Sequence, residues 1–163
     1  MPRVVAAGVA TTLDTSRVSR AYFSARVNVD IDRAWAVVGD FHGVANWVWV
    51  LDTCVPIGDL GSGEVGAIRE YTRRDGLTVQ EKLVTYDDVG HSYSYEFVGM
   101  NPFPVSRYCG AVRLSPIVED GTTFIEWVGE FEAESAVCES VKNQFERLYA
   151  ALTGDLRHHL AGY

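Results

Sequence analysis

Most of the middle of the chain, from residue 21 to residue 132, alternates between apolar and polar residues, a pattern typical of half-buried β-strands. Seven such runs are predicted, over residues 21–29, 54–60, 65–73, 77–86, 92–99, 105–115 and 122–132. Short segments rich in Gly, Asp, Asn and Pro separate most consecutive runs, which is good turn chemistry. Because successive strands joined by short turns pair with reversed direction, we expect a seven-stranded antiparallel meander.

Helical patterns occur in two places. Asp30 or Asp32 can cap a short helix over 31–41, and a second short helix is predicted over 44–49. From about residue 136 to 160, apolar residues recur every three or four positions and form one stripe. A long amphipathic helix packed against a curved antiparallel sheet predicts an α+β fold with a hollow between the two layers.

Two charged residues fall in phase with the apolar face of predicted strands. Glu81 lies two positions from both Val79 and Leu83, so it shares their face of the strand. Arg69 shares a face with Ala67 on the preceding strand in the same way. Since side chains alternate across a strand, both charges are predicted to point inward. Burying an unpaired charge is costly, so inward charges indicate a partner, a ligand or water. The pattern therefore favours a cavity that holds a small molecule.

Length and composition indicate one compact domain. The chain has 163 residues, of which 47% are hydrophobic, and a formal net charge of −8. This charge argues against nucleic acid and against an anionic membrane surface as partners. We interpret residues 1–17 as a flexible N-terminal arm, since their apolar stretch is a poor signal sequence, and residues 18–163 as a single ligand-binding domain.

The cysteine and histidine patterns favour neither a disulfide framework nor a metal site. Cys54, Cys109 and Cys138 are odd in number and form no CxxC pair, which suits reduced thiols in a cytoplasmic protein. The four histidines do not cluster as ligands, so no metal is expected.

Several short motifs, taken in order, resemble the Bet v 1-like, START-related (SRPBCC) superfamily, and small bacterial polyketide cyclase/dehydrase-like proteins in particular. The motifs are Ala34-Trp35, Asp40-Phe41, Asn46-Trp47, Gly66 to Arg69, Gln80 to Leu83, Asp87-Asp88, Pro104 with Tyr108, and Ile125 to Trp127 with Phe131. The resemblance covers about residues 20 to 160. It implies a helix-grip fold around a deep, mainly apolar cavity.

The resemblance extends to plant abscisic acid receptors, and it adds candidate site residues. Polar cavity residues of those receptors match Glu81, Tyr108 and Glu126, and a receptor lysine that pairs with the ligand carboxylate matches Asp52. A carboxylate at Asp52 removes that anion clamp. A receptor role of this type is therefore not expected.

Each catalytic candidate has a structural alternative. Glu81 is the leading candidate for proton transfer in an apolar pocket, with Arg69 stabilising negative charge on an oxygen, but the two would equally form a buried ion pair. Tyr108 is predicted to point inward, to orient a substrate oxygen or to serve as a core tyrosine. For Glu126 and Trp127 alternation allows only one to face inward, and the resemblance favours Glu126.

The expected ligand-binding residues are mainly aromatic. The predicted strand over 92–99 places three aromatics on one wall, Phe103 lies in a Pro-rich loop that suits a lid, and the short helix and the long helix add apolar side chains. The set is Tyr93, Tyr95, Phe97, Phe103, Trp47, Phe145, Tyr149 and Leu152.

The leading functional hypothesis is a polyketide cyclase/dehydrase-like enzyme that promotes cyclisation, dehydration or isomerisation of a largely apolar substrate without a cofactor or metal. The alternative is a non-catalytic carrier or sensor of a lipophilic or aromatic metabolite. A third reading is an interaction module in which Glu81 and Arg69 only neutralise each other. Members of this superfamily often form homodimers, so homodimerisation is also an expectation.

Overall fold

The computed structural model describes residues 16–162, and these form one antiparallel sheet with helices on one side. The strands are β1 (Ser16–Val27), β2 (Leu51–Ile57), β3 (Ile68–Arg73), β4 (Thr78–Asp87), β5 (Ser92–Val98), β6 (Arg107–Ile117) and β7 (Thr122–Glu134). The helices are α1 (Ile31–Val38), a 3₁₀ helix (Phe41–Asn46) and α2 (Ser135–Leu160). This is the predicted α+β helix-grip arrangement.

The sheet is a meander in which β1 is displaced to the far edge. Its strand order is β1-β7-β6-β5-β4-β3-β2 and every pair is antiparallel. β1 pairs with β7 along its whole length, from Ser16 opposite Glu134 to Val27 opposite Thr123. β2 and β1 are therefore the two edges, and the curved sheet wraps around α2.

The long helix is held by one buried stripe. Cys138, Val141, Phe145, Tyr149, Thr153 and Leu156 are its buried residues, at spacings of three and four. Arg157, His158 and His159 lie in the last turn, where positive charge suits the negative end of the helix dipole. Among residues 16–162 no helix is long and apolar enough to cross a membrane.

The predicted boundaries of several elements were wrong. The first helix ends at Val38 rather than at residue 41, and the second is a 3₁₀ helix over Phe41–Asn46 rather than over 44–49. Asp30 is the N-cap, because its side chain accepts a hydrogen bond from the Arg33 backbone N–H. β3 begins at Ile68 rather than at residue 65, since Gly66 has a φ of 94° and turns the chain away.

The arm predicted over residues 1–17 ends too late. Ser16 and Arg17 already belong to β1, because the long β7 offers partners Glu134 and Ala133 to them. Residues 1–15 lie outside the residues that the structure describes.

Candidate functional site

A cavity of about 290 Å³ lies between the sheet and α2. Most of its lining is apolar or aromatic, and Arg69, Tyr71, Arg73 and Glu81 on β3 and β4 supply the polar part of one wall. The 3₁₀ helix and the segment after it, the loop before β6, and α2 close the remaining sides with Val44, Trp47, Val48, Val50, Leu51, Pro102, Phe103, Leu148 and Leu152.

Arg69 and Glu81 form a buried ion pair in this wall, as the strand alternation predicts. They are cross-strand partners on β3 and β4, and each is 5% exposed. Arg69 Nε donates to Glu81 Oε2 at 2.8 Å, and Arg69 Nη2 lies 2.6 Å from the same oxygen. The charges compensate each other, which offsets the cost of removing both from water.

Arg69 also holds the 3₁₀ helix in place. Its Nη1 donates to the Phe41 carbonyl oxygen at 2.7 Å, and its guanidinium lies 4.1 Å from the centre of the Phe41 ring. Burial is the largest single influence and lowers the pKa of Arg69. The charge and hydrogen bond of Glu81 and the nearby tyrosines outweigh it, so the pKa lies above its usual value. Arg69 is therefore a fixed positive charge and not a proton donor.

Tyr71 contacts the other oxygen of Glu81. Its hydroxyl donates to Glu81 Oε1 over a long 3.3 Å, and burial, followed by the Glu81 charge, raises its pKa. We did not single out Tyr71 from the sequence, although alternation places it on the same face of β3 as Arg69. Glu81 thus has one oxygen held firmly by Arg69 and one held weakly.

Three further tyrosine hydroxyls form a chain. Tyr95 and Tyr108 lie 3.4 Å apart, and Tyr108 and Tyr149 lie 2.9 Å apart, measured between hydroxyl oxygens. Burial is the main reason that the pKa values of all three are raised. The inward orientation predicted for Tyr108 and Tyr95 is confirmed, since both are buried and line the cavity.

Most of the predicted ligand-binding residues line the cavity, and two do not. Trp47, Tyr93, Tyr95, Phe97, Phe103 and Leu152 contribute to the lining. Phe145 and Tyr149 are fully buried and outside it. The Phe145 ring packs 4.5 Å from that of Phe103 and 4.6 Å from that of Tyr108, so it supports the wall from behind. Helical spacing correctly predicted which face of α2 points to the sheet. It wrongly predicted that Phe145 and Tyr149 reach the cavity.

The prediction that Glu126 faces the cavity was wrong. On β7 the buried residues are the odd-numbered ones, and Trp127 lines the cavity instead. Glu126 points to the outer face, where it accepts a hydrogen bond of 2.7 Å from the Tyr22 hydroxyl on β1. Trp127 is held by a hydrogen bond of 3.1 Å from its Nε1 to Thr153 Oγ1 on α2.

The placement of Asp52 in the site was also wrong. Its side chain is exposed, and the pairing of β2 with β3 shifts between Leu51 and Thr53, which leaves Asp52 outside the regular ladder. Leu51 and Val50 line the cavity at this point. The irregularity cannot be read from the sequence pattern.

The described residues offer little to a metal ion. Within residues 16–162 no group of three or more His, Cys, Asp or Glu side chains is arranged to hold one. Cys54, Cys109 and Cys138 are all free thiols. Burial raises the pKa of Cys54, which lies near Arg69 and Glu81.

The chain matches one protein family in sequence and several solved structures in fold. Residues 19–161 match the model of a family described as polyketide cyclase/dehydrase and lipid transport. A protein of Nitrosospira multiformis is 25% identical, with a TM-score of 0.72 over 87% of this chain and 96% of its own. The protein XoxI of Bacillus cereus is 23% identical, with a TM-score of 0.74 over 88% and 96%.

A plant enzyme has the same fold at lower identity. Norcoclaurine synthase of Thalictrum flavum, solved in complex with dopamine and hydroxybenzaldehyde, is 14% identical, with a TM-score of 0.72 over 100% of this chain and 98% of its own. That likeness shows the fold alone. No match was found among curated proteins.

Proposed function

The chain belongs to the polyketide cyclase/dehydrase and lipid transport family, within the Bet v 1-like, START-related superfamily, and on this premise we propose that it binds a largely apolar small molecule between its sheet and α2. The observation that carries the proposal is the cavity of about 290 Å³, whose apolar and aromatic lining is interrupted by one buried charged pair. Apolar pockets with a few placed polar groups are typical of small-molecule sites.

The lining indicates the shape of the ligand. Tyr93, Tyr95 and Phe97 follow one another along β5, and Phe103 lies opposite in the loop before β6, with its ring 6.2 Å from that of Phe97. Flat aromatic surfaces suit a flat ring system. The same fold holds dopamine and hydroxybenzaldehyde in norcoclaurine synthase, which supports an aromatic or cyclic ligand here.

Filling the cavity tests the proposal. Leu152→Trp places a large side chain into the lining from α2, whereas Ala151→Trp adds the same group to the exposed face of that helix. Wild type and Ala151→Trp should bind the uncharged fluorescent probe N-phenyl-1-naphthylamine, and Leu152→Trp should bind it at least about tenfold more weakly. Equal binding by all three folded proteins would place the probe outside the cavity and contradict the proposal.

A second candidate function is cofactor-independent catalysis, and the weakly held oxygen of Glu81 favours it. Arg69 engages Oε2, and within residues 16–162 Oε1 has only the long contact to Tyr71. Oε1 would take a proton from the carbon next to a ligand carbonyl, and the electrons of the C–H bond would form an enolate. Arg69 would stabilise the enolate charge, and the protonated Glu81 would return the proton to carbon. Cyclisation, dehydration and isomerisation can start from such an enolate.

Deuterium exchange separates the catalyst from the carrier. In D₂O, wild type should accelerate deuterium incorporation into the methyl group of 2-acetylnaphthalene, followed by NMR, and Glu81→Gln should remove the acceleration. Binding of the ketone by wild type with exchange at the rate of buffer would exclude this proton transfer and leave the binding proposal intact.

A further inference from the structure

The hydroxyls of Tyr95, Tyr108 and Tyr149 form a hydrogen-bonded chain in the cavity wall, separate from the Arg69–Glu81 pair. It joins β5, β6 and α2 through two hydrogen bonds, with Tyr108 in the middle. Tyr95 and Tyr108 line the cavity, and Tyr149 lies behind them. The three residues thus form a path from the buried side of the wall to the cavity.

Two glycines make room for these hydroxyls. Gly110 and Gly129 are cross-strand partners on β6 and β7. A methyl group on Gly110 would lie 2.7 Å from both the Tyr95 and Tyr108 hydroxyl oxygens, and one on Gly129 would collide with the Tyr149 hydroxyl. Glycine weakens a strand interior and often marks a close approach. Here the approach is that of the three hydroxyls.

The three tyrosine hydroxyls have one proton more than their mutual hydrogen bonds use. Each tyrosine hydroxyl carries one proton, and the raised pKa values keep all three protonated. Two of the three protons are used in the two hydrogen bonds of the chain. The third must be donated elsewhere.

Tyr149 determines where the spare proton lies. Among residues 16–162 its hydroxyl has Tyr108 as its only hydrogen-bond partner. If Tyr149 accepted from Tyr108, its own proton would be buried without an acceptor, which is costly. Tyr149 therefore donates to Tyr108, and the spare proton belongs to Tyr108 or Tyr95, both of which line the cavity.

We propose that Tyr95 and Tyr108, backed by Tyr149, form a binding subsite that donates one hydrogen bond to an uncharged carbonyl oxygen of the ligand. The subsite contains neutral hydroxyls, and the two arginines of the lining, Arg69 and Arg73, are already paired with Glu81 and Asp75, so an anionic oxygen would be buried without a free counter-charge. The ligand class is thus an aromatic or cyclic ketone, aldehyde, ester or lactone. This inference rests on the proposed binding function and specifies its ligand.

An isosteric pair of probes measures the hydrogen bond. 2-Acetylnaphthalene and 2-isopropenylnaphthalene have nearly the same shape, and only the first has a carbonyl oxygen. The ratio of their association constants should fall about tenfold from wild type to Tyr95→Phe/Tyr108→Phe, because the carbonyl is then buried without a donor. The isopropenyl compound should bind both proteins alike, which also shows that the variant is folded.

Two matched variants test the assignment. Tyr149→Phe removes a hydroxyl of the chain that does not line the cavity, and Tyr93→Phe removes one that lines it outside the chain. Both should keep the ratio within about twofold of wild type. A tenfold fall in Tyr93→Phe would place the carbonyl beside the Tyr93 hydroxyl and overturn the subsite. An unchanged ratio in the double variant, with both probes still bound, would overturn it while leaving the binding function standing.

Infrared spectroscopy tests the subsite without any variant. The carbonyl stretch of bound, ¹³C-labelled 2-acetylnaphthalene should lie below its position in hexane, because a donated hydrogen bond weakens the C=O bond. A stretch at the hexane position would contradict the subsite. Absence of binding of both probes to wild type would contradict the binding function for this ligand class, and the subsite with it.

Discussion

At the scale of single residues, the buried Arg69–Glu81 pair is the clearest link between sequence and site. Alternation along β3 and β4 is enough to bring the two charges to the inner face, and the antiparallel register makes them direct partners. Their compensation is nearly complete, because Arg69 gives Glu81 two nitrogen contacts and gives its remaining terminal nitrogen to the Phe41 carbonyl. The pair therefore positions the 3₁₀ helix as well as the polar end of the cavity.

Breaking this pair should cost far more stability than breaking a surface pair. Glu81→Gln leaves the Arg69 charge buried without a partner, and we expect a loss of about 3–5 kcal/mol in the free energy of unfolding. Glu96→Gln breaks the exposed pair with Lys82 on the neighbouring strands, with N···O 2.8 Å, and should cost about 0–1 kcal/mol. Urea unfolding of the two variants measures both values, and equal losses would show that Glu81 is not a desolvated charge.

Alternation failed where both faces of a strand are apolar. On β7, Phe124 and Val128 share the outer face with Glu126, so the pattern did not distinguish inside from outside. The inward side is set by the register with β6, where Trp127 opposes the buried Val112. Residue patterns therefore identified Arg69 and Glu81 and could not identify Trp127.

At the scale of elements, the strands and α2 could be predicted almost completely, because period-two and helical patterns were long and regular. The start of β1 was placed five residues too late, because none of its first five residues is buried. The other edge strand, β2, was placed three residues too late, since Pro56 and the irregularity at Leu51 and Thr53 weaken its alternation. The face of α2 followed from its spacing, but spacing does not show how far a side chain reaches, and Phe145 was assigned to the lining although it lies behind it.

The glycine pair beneath the tyrosine chain gives a prediction for β6 and β7. Gly129→Ala brings a methyl group against the Tyr149 hydroxyl and to 3.1 Å from Tyr108 Cε2, so we expect overpacking to cost about 1–3 kcal/mol. Gly154→Ala, on an exposed turn of α2 with open space around it, should instead stabilise the protein by about 1 kcal/mol. Thermal unfolding compares the two, and a neutral Gly129→Ala would show that the hydroxyls do not need this space.

At the scale of the whole molecule, four buried tyrosines and the half-buried Tyr71 link stability to pH. Burial raises the pKa values of Tyr71, Tyr93, Tyr95, Tyr108 and Tyr149 above their usual value. The folded protein therefore keeps protons that the unfolded chain releases above about pH 10. The stability that these groups contribute is complete below that pH and is lost as the pH rises.

Stability should therefore begin to fall as the pH rises past about 10, and the slope should steepen above that pH to as much as about 1.4 kcal/mol per pH unit for each buried tyrosine. Urea unfolding at several pH values measures the slope. Tyr108→Phe should reduce the slope of stability against pH by the contribution of one buried tyrosine. Tyr22→Phe, at an exposed position on β1, should leave the slope unchanged. Equal slopes in wild type and Tyr108→Phe would contradict the account of Tyr108 as a buried neutral hydroxyl.

Native mass spectrometry of protein purified from its own host tests most directly whether the cavity between the sheet and α2 is a ligand site. Wild type and Ala151→Trp should each carry one small, largely apolar molecule, identified after extraction, and Leu152→Trp should lack it. If wild type and Leu152→Trp carry the same bound molecule, or if neither carries one, the cavity is not the ligand site.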